Sequence, residues 1–149
     1  LVDVLGTPES RRDLSVSLNN VGRVAEARGD WGAAGRAYEE FLDLARGLVD
    51  VLGTPESRRD LSVSLDNVGR VARVRGDWGA AGRAYEESLD LARDLADSLG
   101  TPESLRDLVV LLGNLAGVVE RLGDAERAES LRAERDRIAK ILDSGSSET

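Results

Sequence analysis

The sequence predicts an all-α protein, a solenoid of antiparallel helix hairpins, and three observations lead there. The twelve residues Gly29 to Glu40 return unchanged as Gly76 to Glu87. The run Leu-Gly-Thr-Pro-Glu-Ser begins at Leu5, Leu52 and Leu99, a constant period of 47 residues. Within each period, apolar residues recur at helical spacing between paired start and stop signals. A unit of that length cannot bury its apolar face alone, so successive copies must stack.

The first helix is expected over about residues 8 to 28. Thr7 can cap it, Pro8 suits the first helical position, and Glu9 faces the positive end of the helix dipole. Leu14, Leu18, Val21 and Ala25 then keep one face apolar until Gly29, which can adopt the left-handed conformation that ends a helix. Asp30 stands where an N-cap is needed, and Ala34, Tyr38, Phe41, Leu42, Ala45, Leu48, Val49 and Leu52 form the stripe of a second helix over 31 to 52. A two-residue connection forces the pair into an antiparallel hairpin. The same signals place helices at about 55 to 75, 78 to 99, 102 to 122 and 125 to 142. The expected organisation is therefore the end of a preceding repeat helix over 1–5, repeats over 6–52, 53–99 and 100–143, and a disordered tail over 144–149.

Composition narrows the chemistry. The chain has no cysteine and no histidine, which removes thiolate nucleophiles, imidazole bases and the usual zinc ligands together. No cofactor, metal site or catalytic residue is expected. A formal net charge of −8 argues against a grip on phosphate backbones, so nucleic acid is a poor partner. No apolar run approaches a membrane span, and the expectation is a soluble, cytoplasmic protein. The absence of methionine and a start in mid-repeat suggest a piece of a longer protein, and the Arg, Ala, Gly, Val and Asp bias hints at a GC-rich bacterial genome.

Several conspicuous residues are read as packing. Gly22 and Gly69 lie inside helices, where glycine costs about 1 kcal/mol against alanine, and close approach of two helix backbones is the expected compensation. Trp31 and Trp78, at helical spacing from Ala34 and Ala81, are assigned to the core rather than to a ligand. The Arg11-Arg12 and Arg58-Arg59 pairs are assigned to surface ion pairs.

The pattern Leu18-x-x-Val21-Gly22-x-x-Ala25-x-x-x-Gly29-Asp30-Trp31-x-x-Ala34-x-x-x-Tyr38-x-x-Phe41-Leu42 resembles the tetratricopeptide repeat, and Leu65 to Leu89 repeats the match. The third copy keeps Leu112, Leu115, Gly123, Asp124 and Ala128, but has Ala116 for the glycine and Arg132 for the tyrosine. The resemblance implies a right-handed superhelix, with the first helix of each pair lining its concave surface and binding extended peptides. The period of 47 exceeds the family's usual one because each helix is longer. Arg132, Arg135 and the polar run around them suggest that the third hairpin is a cap.

Copies 1–47 and 48–94 differ at only five positions: Asn19/Asp66, Glu26/Arg73, Ala27/Val74, Phe41/Ser88 and Gly47/Asp94. Three of these fall on the first helix of the pair. Asn20, Asn67 and Asn114 recur at matched positions, and such a ladder of amides suits a peptide backbone, since each can donate and accept. Arg23 and Arg70 lie one turn further on and can meet a carboxylate, although Gly117 ends that series. The candidate peptide-binding residues are thus Asn19, Asn20, Arg23, Glu26, Asp66, Asn67, Arg70, Arg73 and Asn114; the plain alternative is a solvated polar face. The expected function is a non-enzymatic scaffold that binds protein or peptide, by analogy the sensor region of a larger bacterial multidomain protein. The alternative is a homotypic module that oligomerises through its open ends.

Overall fold

The computed structural model describes residues 6–147, and no strand occurs among them. It contains α1 (Pro8–Ala27), α2 (Trp31–Leu52), α3 (Pro55–Val74), α4 (Trp78–Leu99), α5 (Pro102–Arg121) and α6 (Ala125–Ser147). The expected preceding-helix end over 1–5 lies outside the described residues, as do residues 148–149. Helix α6 runs through Ser147, so 144–147 continue the helix where the sequence reads as a disordered tail.

Local chemistry repeats as faithfully as the sequence. Thr7, Thr54 and Thr101 each accept a hydrogen bond on Oγ1 from the backbone N–H three residues on, at Ser10, Ser57 and Ser104, at 3.1, 3.1 and 3.2 Å. Each of those serines donates back to the threonine carbonyl, at 3.0, 2.8 and 2.8 Å. The threonine oxygen satisfies one of the backbone N–H groups left open by the first turn, while the threonine carbonyl also accepts from the N–H four residues on, at Arg11, Arg58 and Leu105. Asp30, Asp77 and Asp124 cap the second helices, accepting from the N–H of Ala33, Ala80 and Arg127 at 3.0 Å each.

The hairpin turn follows from a single glycine. Gly29 takes φ +75°, its N–H donates to the Glu26 carbonyl, and the Asp30 N–H donates to the Ala25 carbonyl, each at 2.9 Å. That is the Schellman closure, in which the residue ending one helix's bonding also caps the next. Gly76–Asp77 and Gly123–Asp124 repeat it. A first helix consequently reverses into its partner within two residues.

Each helix packs on its neighbours in sequence, from α1 on α2 through α5 on α6. Helices α2 and α4 are enclosed between their own first helix and the next one, whereas α6 packs on α5. One core gathers Tyr38, Phe41 and Leu42 of α2 with Ala25 of α1 and Leu61, Leu65 and Val71 of α3. The other joins Tyr85 and Leu89 of α4 to Leu108, Leu112 and Leu115 of α5 and Leu131 of α6. Trp31 and Trp78 are half-buried against these two cores, as expected, and the Arg121 guanidinium lies 4.9 Å above the Trp78 ring.

The in-helix glycines have a different cause from the expected approach of two backbones. Gly22 lies under the ring of Tyr38 and Gly69 under that of Tyr85; a Cβ at either position would fall within 3 Å of a ring carbon. Where the third copy has alanine at 116, the ring is gone, and Arg132 pairs instead with Glu120 of α5. A second pair changes together in the same way. Asn19 with Phe41 becomes Asp66 with Ser88, then Gly113 with Arg135, whose Cδ lies 3.6 Å from where a Cβ on Gly113 would stand.

Candidate binding face

Helices α1, α3 and α5 share one face of the array, joined laterally by side chains one repeat apart. Arg12 of α1 reaches Glu56 and Asp60 of α3 at 2.7 and 3.2 Å. Arg59 of α3 repeats this toward Glu103 and Asp107 of α5, at 2.8 and 3.3 Å. The second arginine of each expected surface pair therefore ties successive repeats together. Because these groups are largely exposed, each pair contributes about 0–1 kcal/mol. On the opposite side Arg46 pairs with Glu87, Glu86 with Arg127, and Arg93 with Glu134, linking α2, α4 and α6.

The candidate residues divide between this lateral bonding and solvent. Asn67 is only 7% exposed; its Nδ2 donates to Asn19 Oδ1 at 2.9 Å, and its Oδ1 accepts from Arg70 Nη2 at 3.1 Å. Arg70 also donates to Glu26 Oε1, from Nε at 2.9 Å and Nη2 at 2.7 Å. Asn19, Glu26, Asn67 and Arg70 thus form one network bridging α1 and α3, beside the buried ring of Tyr38. Burial raises the Tyr38 pKa, and the nearby Glu26 carboxylate adds to the effect. Asn20 and Arg23 are exposed, whereas Arg73 and Asn114 are half-buried. The three amides occupy matched positions in unlike surroundings, because α1 has no first helix before it among the described residues to cover Asn20. Replacing Asn67 by alanine leaves Asn19 and Arg70 without their shared partner and is expected to cost about 1–3 kcal/mol, read by thermal unfolding. Asn20→Ala should leave the melting curve in place.

Asp66 has its own setting. Ser88 of α4 donates to Asp66 Oδ1 at 2.6 Å, and Ser88 and Ser62 share a buried hydroxyl contact at 2.8 Å. Burial pushes the Asp66 pKa up to about 6; the Ser88 hydrogen bond opposes this, Asp107 of α5 reinforces it, and Arg70 opposes it again. Next to it, a cavity of about 180 Å³ opens between α3, α4 and α5. The sequence reading missed this cavity. Its signal was the exchange of Phe41 for Ser88, a loss of ring volume coupled to the appearance of a carboxylate. It also missed Val16, Val63 and Val110, which recur at matched positions; Val63 and Val110 line the cavity, and Val16 and Val110 are exposed.

Among the described residues, no cluster of carboxylates could hold a metal ion, and no helix is long and apolar enough to cross a membrane. A search of curated proteins finds no match. Among solved structures, a de novo designed helical repeat protein, DHR64, aligns over 91% of this chain and 72% of its own, at 25% identity and a TM-score of 0.54. The DHF119 filament aligns over 92% of this chain and 71% of its own, at 23% identity and a TM-score of 0.47. The sequence profile of the tetratricopeptide repeat matches residues 17–52 and 64–99, the two near-identical copies. Residues 17–52 and 64–99, just under half of the chain, thus match tetratricopeptide repeats, as tandem copies with the long period of 47 residues.

Proposed function

We propose that the chain is a non-enzymatic scaffold that binds an extended peptide along the face shared by α1, α3 and α5. The observation that carries this reading is the recurrence on that face of an exposed valine with an amide one helical turn on, Val16 with Asn20 and Val110 with Asn114, while Val63 and the bonded Asn67 stand at the matching positions between them. Regular alternation of this kind suits a chain whose own side chains and amides recur regularly. Asn20, Arg23 and Asn114 remain as peptide contacts, while Asn19, Glu26, Asn67 and Arg70 hold the face in shape. A further role as the sensor region of a larger bacterial protein rests on analogy. Selection from a random peptide library, followed by calorimetry, tests the reading. Val16→Glu and Val110→Glu together should reduce affinity at least tenfold without loss of helicity, whereas undiminished affinity would place the peptide elsewhere.

A second reading, self-association, is favoured by one specific contrast. Val24 of α1 is 52% exposed, yet its counterparts Val71 and Val118 are 5% and 0% exposed. Gly35 of α2 receives Val71, and Gly82 of α4 receives Val118. At the matching place α6 carries Glu129, so head-to-tail stacking of copies would press valine against a carboxylate. Any association is therefore expected through two α1 faces related by a two-fold axis. Sedimentation should show a weak dimer, strengthened by salt because each copy carries a formal charge of −8, and abolished by Val24→Asp. A monomer at all concentrations and salts would refute it.

A further inference from the structure

The cavity beside Asp66 has features that select its occupant. Its walls are aliphatic, from Val63 of α3, Ala92, Leu95 and Leu99 of α4, and Val110 of α5. At about 180 Å³ it is more than ten times the roughly 10–15 Å³ that admits one water molecule, so a whole side chain can enter. The polar groups are unevenly signed. Asp66, Glu103 and Asp107 face it as acids, and Arg59 is the one cation among its lining residues. The Arg59 guanidinium is already engaged by Glu103 and Asp107. Asp66 has Oδ1 occupied by Ser88, and its second oxygen retains acceptor capacity.

Building on the peptide-binding reading above, we propose that this cavity is a specificity pocket for a lysine side chain, with the aliphatic walls sheathing its methylenes and Asp66 receiving its ammonium group. A neutral apolar side chain would fill the walls but strip water from Asp66 without replacing it. An acidic side chain would meet three carboxylates. Lysine supplies a four-carbon stem with a compact charge and three donors at its end, matching both the sleeve and the acceptor. The pocket belongs to the second hairpin through Asp66 and Ser88; the first copy has Asn19 and Phe41 in their places. One lysine in a bound peptide would therefore set its register along otherwise near-identical repeats.

The charged groups bearing on Asp66 are Asp107 of α5 and Arg70 of its own helix, with the Ser88 hydroxyl contributed by α4. A cation in the pocket favours ionised Asp66, so its binding should weaken as the carboxylate takes up a proton. With the Asp66 pKa near 6, affinity is expected to fall about tenfold from pH 7 to pH 5.

The test uses the full chain and N-acetyl-lysine N-methylamide as probe, with the norleucine analogue as its uncharged counterpart, followed by amide chemical shifts. The lysine probe should saturate shifts at Ser62, Val63, Ala92 and Leu95, and Asp66→Asn should raise its Kd at least tenfold. That variant installs the residue found at Asn19, so its fold is expected to persist, as circular dichroism would verify. Equal binding of the norleucine analogue, no saturable shifts, or indifference to Asp66→Asn would each overturn the proposal. A library peptide that binds the α1, α3 and α5 face but ignores Asp66→Asn would overturn the pocket while leaving the peptide reading standing. Asp66-dependent binding of the lysine probe with no peptide captured would support the pocket and remove the peptide reading.

Discussion

Tyr85→Ala is expected to remove about 3–5 kcal/mol of stability, on the scale of other large aromatic truncations in close-packed cores. The ring is 1% exposed, between α3 and α5, where it contributes to the core joining the second and third hairpins. For a domain whose whole stability is of the order of 5–15 kcal/mol, such a loss lowers the melting temperature by roughly 10 °C. Its partner substitution is Gly69→Ala. Helix propensity returns about 1 kcal/mol to that change. The new methyl would stand 2.7 Å from Tyr85 Cε1, and overpacking of this kind costs about 1–3 kcal/mol. The informative measurement is the double variant. With the ring removed, the methyl enters space already vacated, so the double variant should be more stable than the sum of the single losses by about 1–3 kcal/mol. Additive losses would mean that ring and glycine do not determine one another.

The third copy performs a related exchange, with Ala116 opposite Arg132 instead of glycine opposite tyrosine. This shows how the sequence encodes the fold at two levels. Helix limits were legible because they depend on local chemistry. Thr-Pro-Glu starts, Gly-Asp reversals and the apolar stripes specify backbone conformation within a few residues, and the first helices differ from expectation by one residue at their ends. There Arg28, Arg75 and Leu122 serve as C-caps. What lies over Gly22 was not legible from spacing alone, since a backbone and an aromatic ring both demand glycine. The pairing of its change with that of Tyr38 in the third copy carried the missing information.

The binding face shows the same division. Asn20, Asn67 and Asn114 are equivalent by number, and periodicity places them on equivalent sides of their helices. Their exposure depends on what the neighbouring first helix supplies. Asn67 has Asn19 across from it and becomes part of the scaffold, whereas Asn20 has solvent. A repeat pattern predicts orientation but not the lateral bond. Likewise the Asn19/Asp66 and Phe41/Ser88 differences were visible as two substitutions among five, and only their contact, Ser88 Oγ to Asp66 Oδ1, makes them one event.

That event has a consequence for stability, and Asp66→Asn is expected to stabilise the chain at pH 7 by about 2–3 kcal/mol. The folded-state pKa of Asp66 is raised to about 6 from an ordinary 3.8, chiefly by burial. The folded form therefore binds a proton more tightly than the unfolded chain. Its contribution to stability is fully present below the unfolded value of 3.8 and is lost as pH rises through about 6. A difference of about two pKa units corresponds to about 3 kcal/mol of penalty for carrying the charge at neutral pH. Asparagine has no charge to bury, and its amide oxygen can still accept from Ser88. The advantage of the variant should accordingly shrink from pH 7 to pH 5 by about 1 kcal/mol and nearly vanish by pH 4. Comparing the two proteins at each pH isolates Asp66, because the rest of the molecule is common to both. Equal stability at pH 7, or an advantage independent of pH, would show that the carboxylate is better solvated than its place between α3, α4 and α5 implies. A retained penalty in the wild type identifies Asp66 as a residue that costs the fold stability, and the cation-accepting pocket beside it supplies a reason for a repeat otherwise copied almost unchanged to carry it.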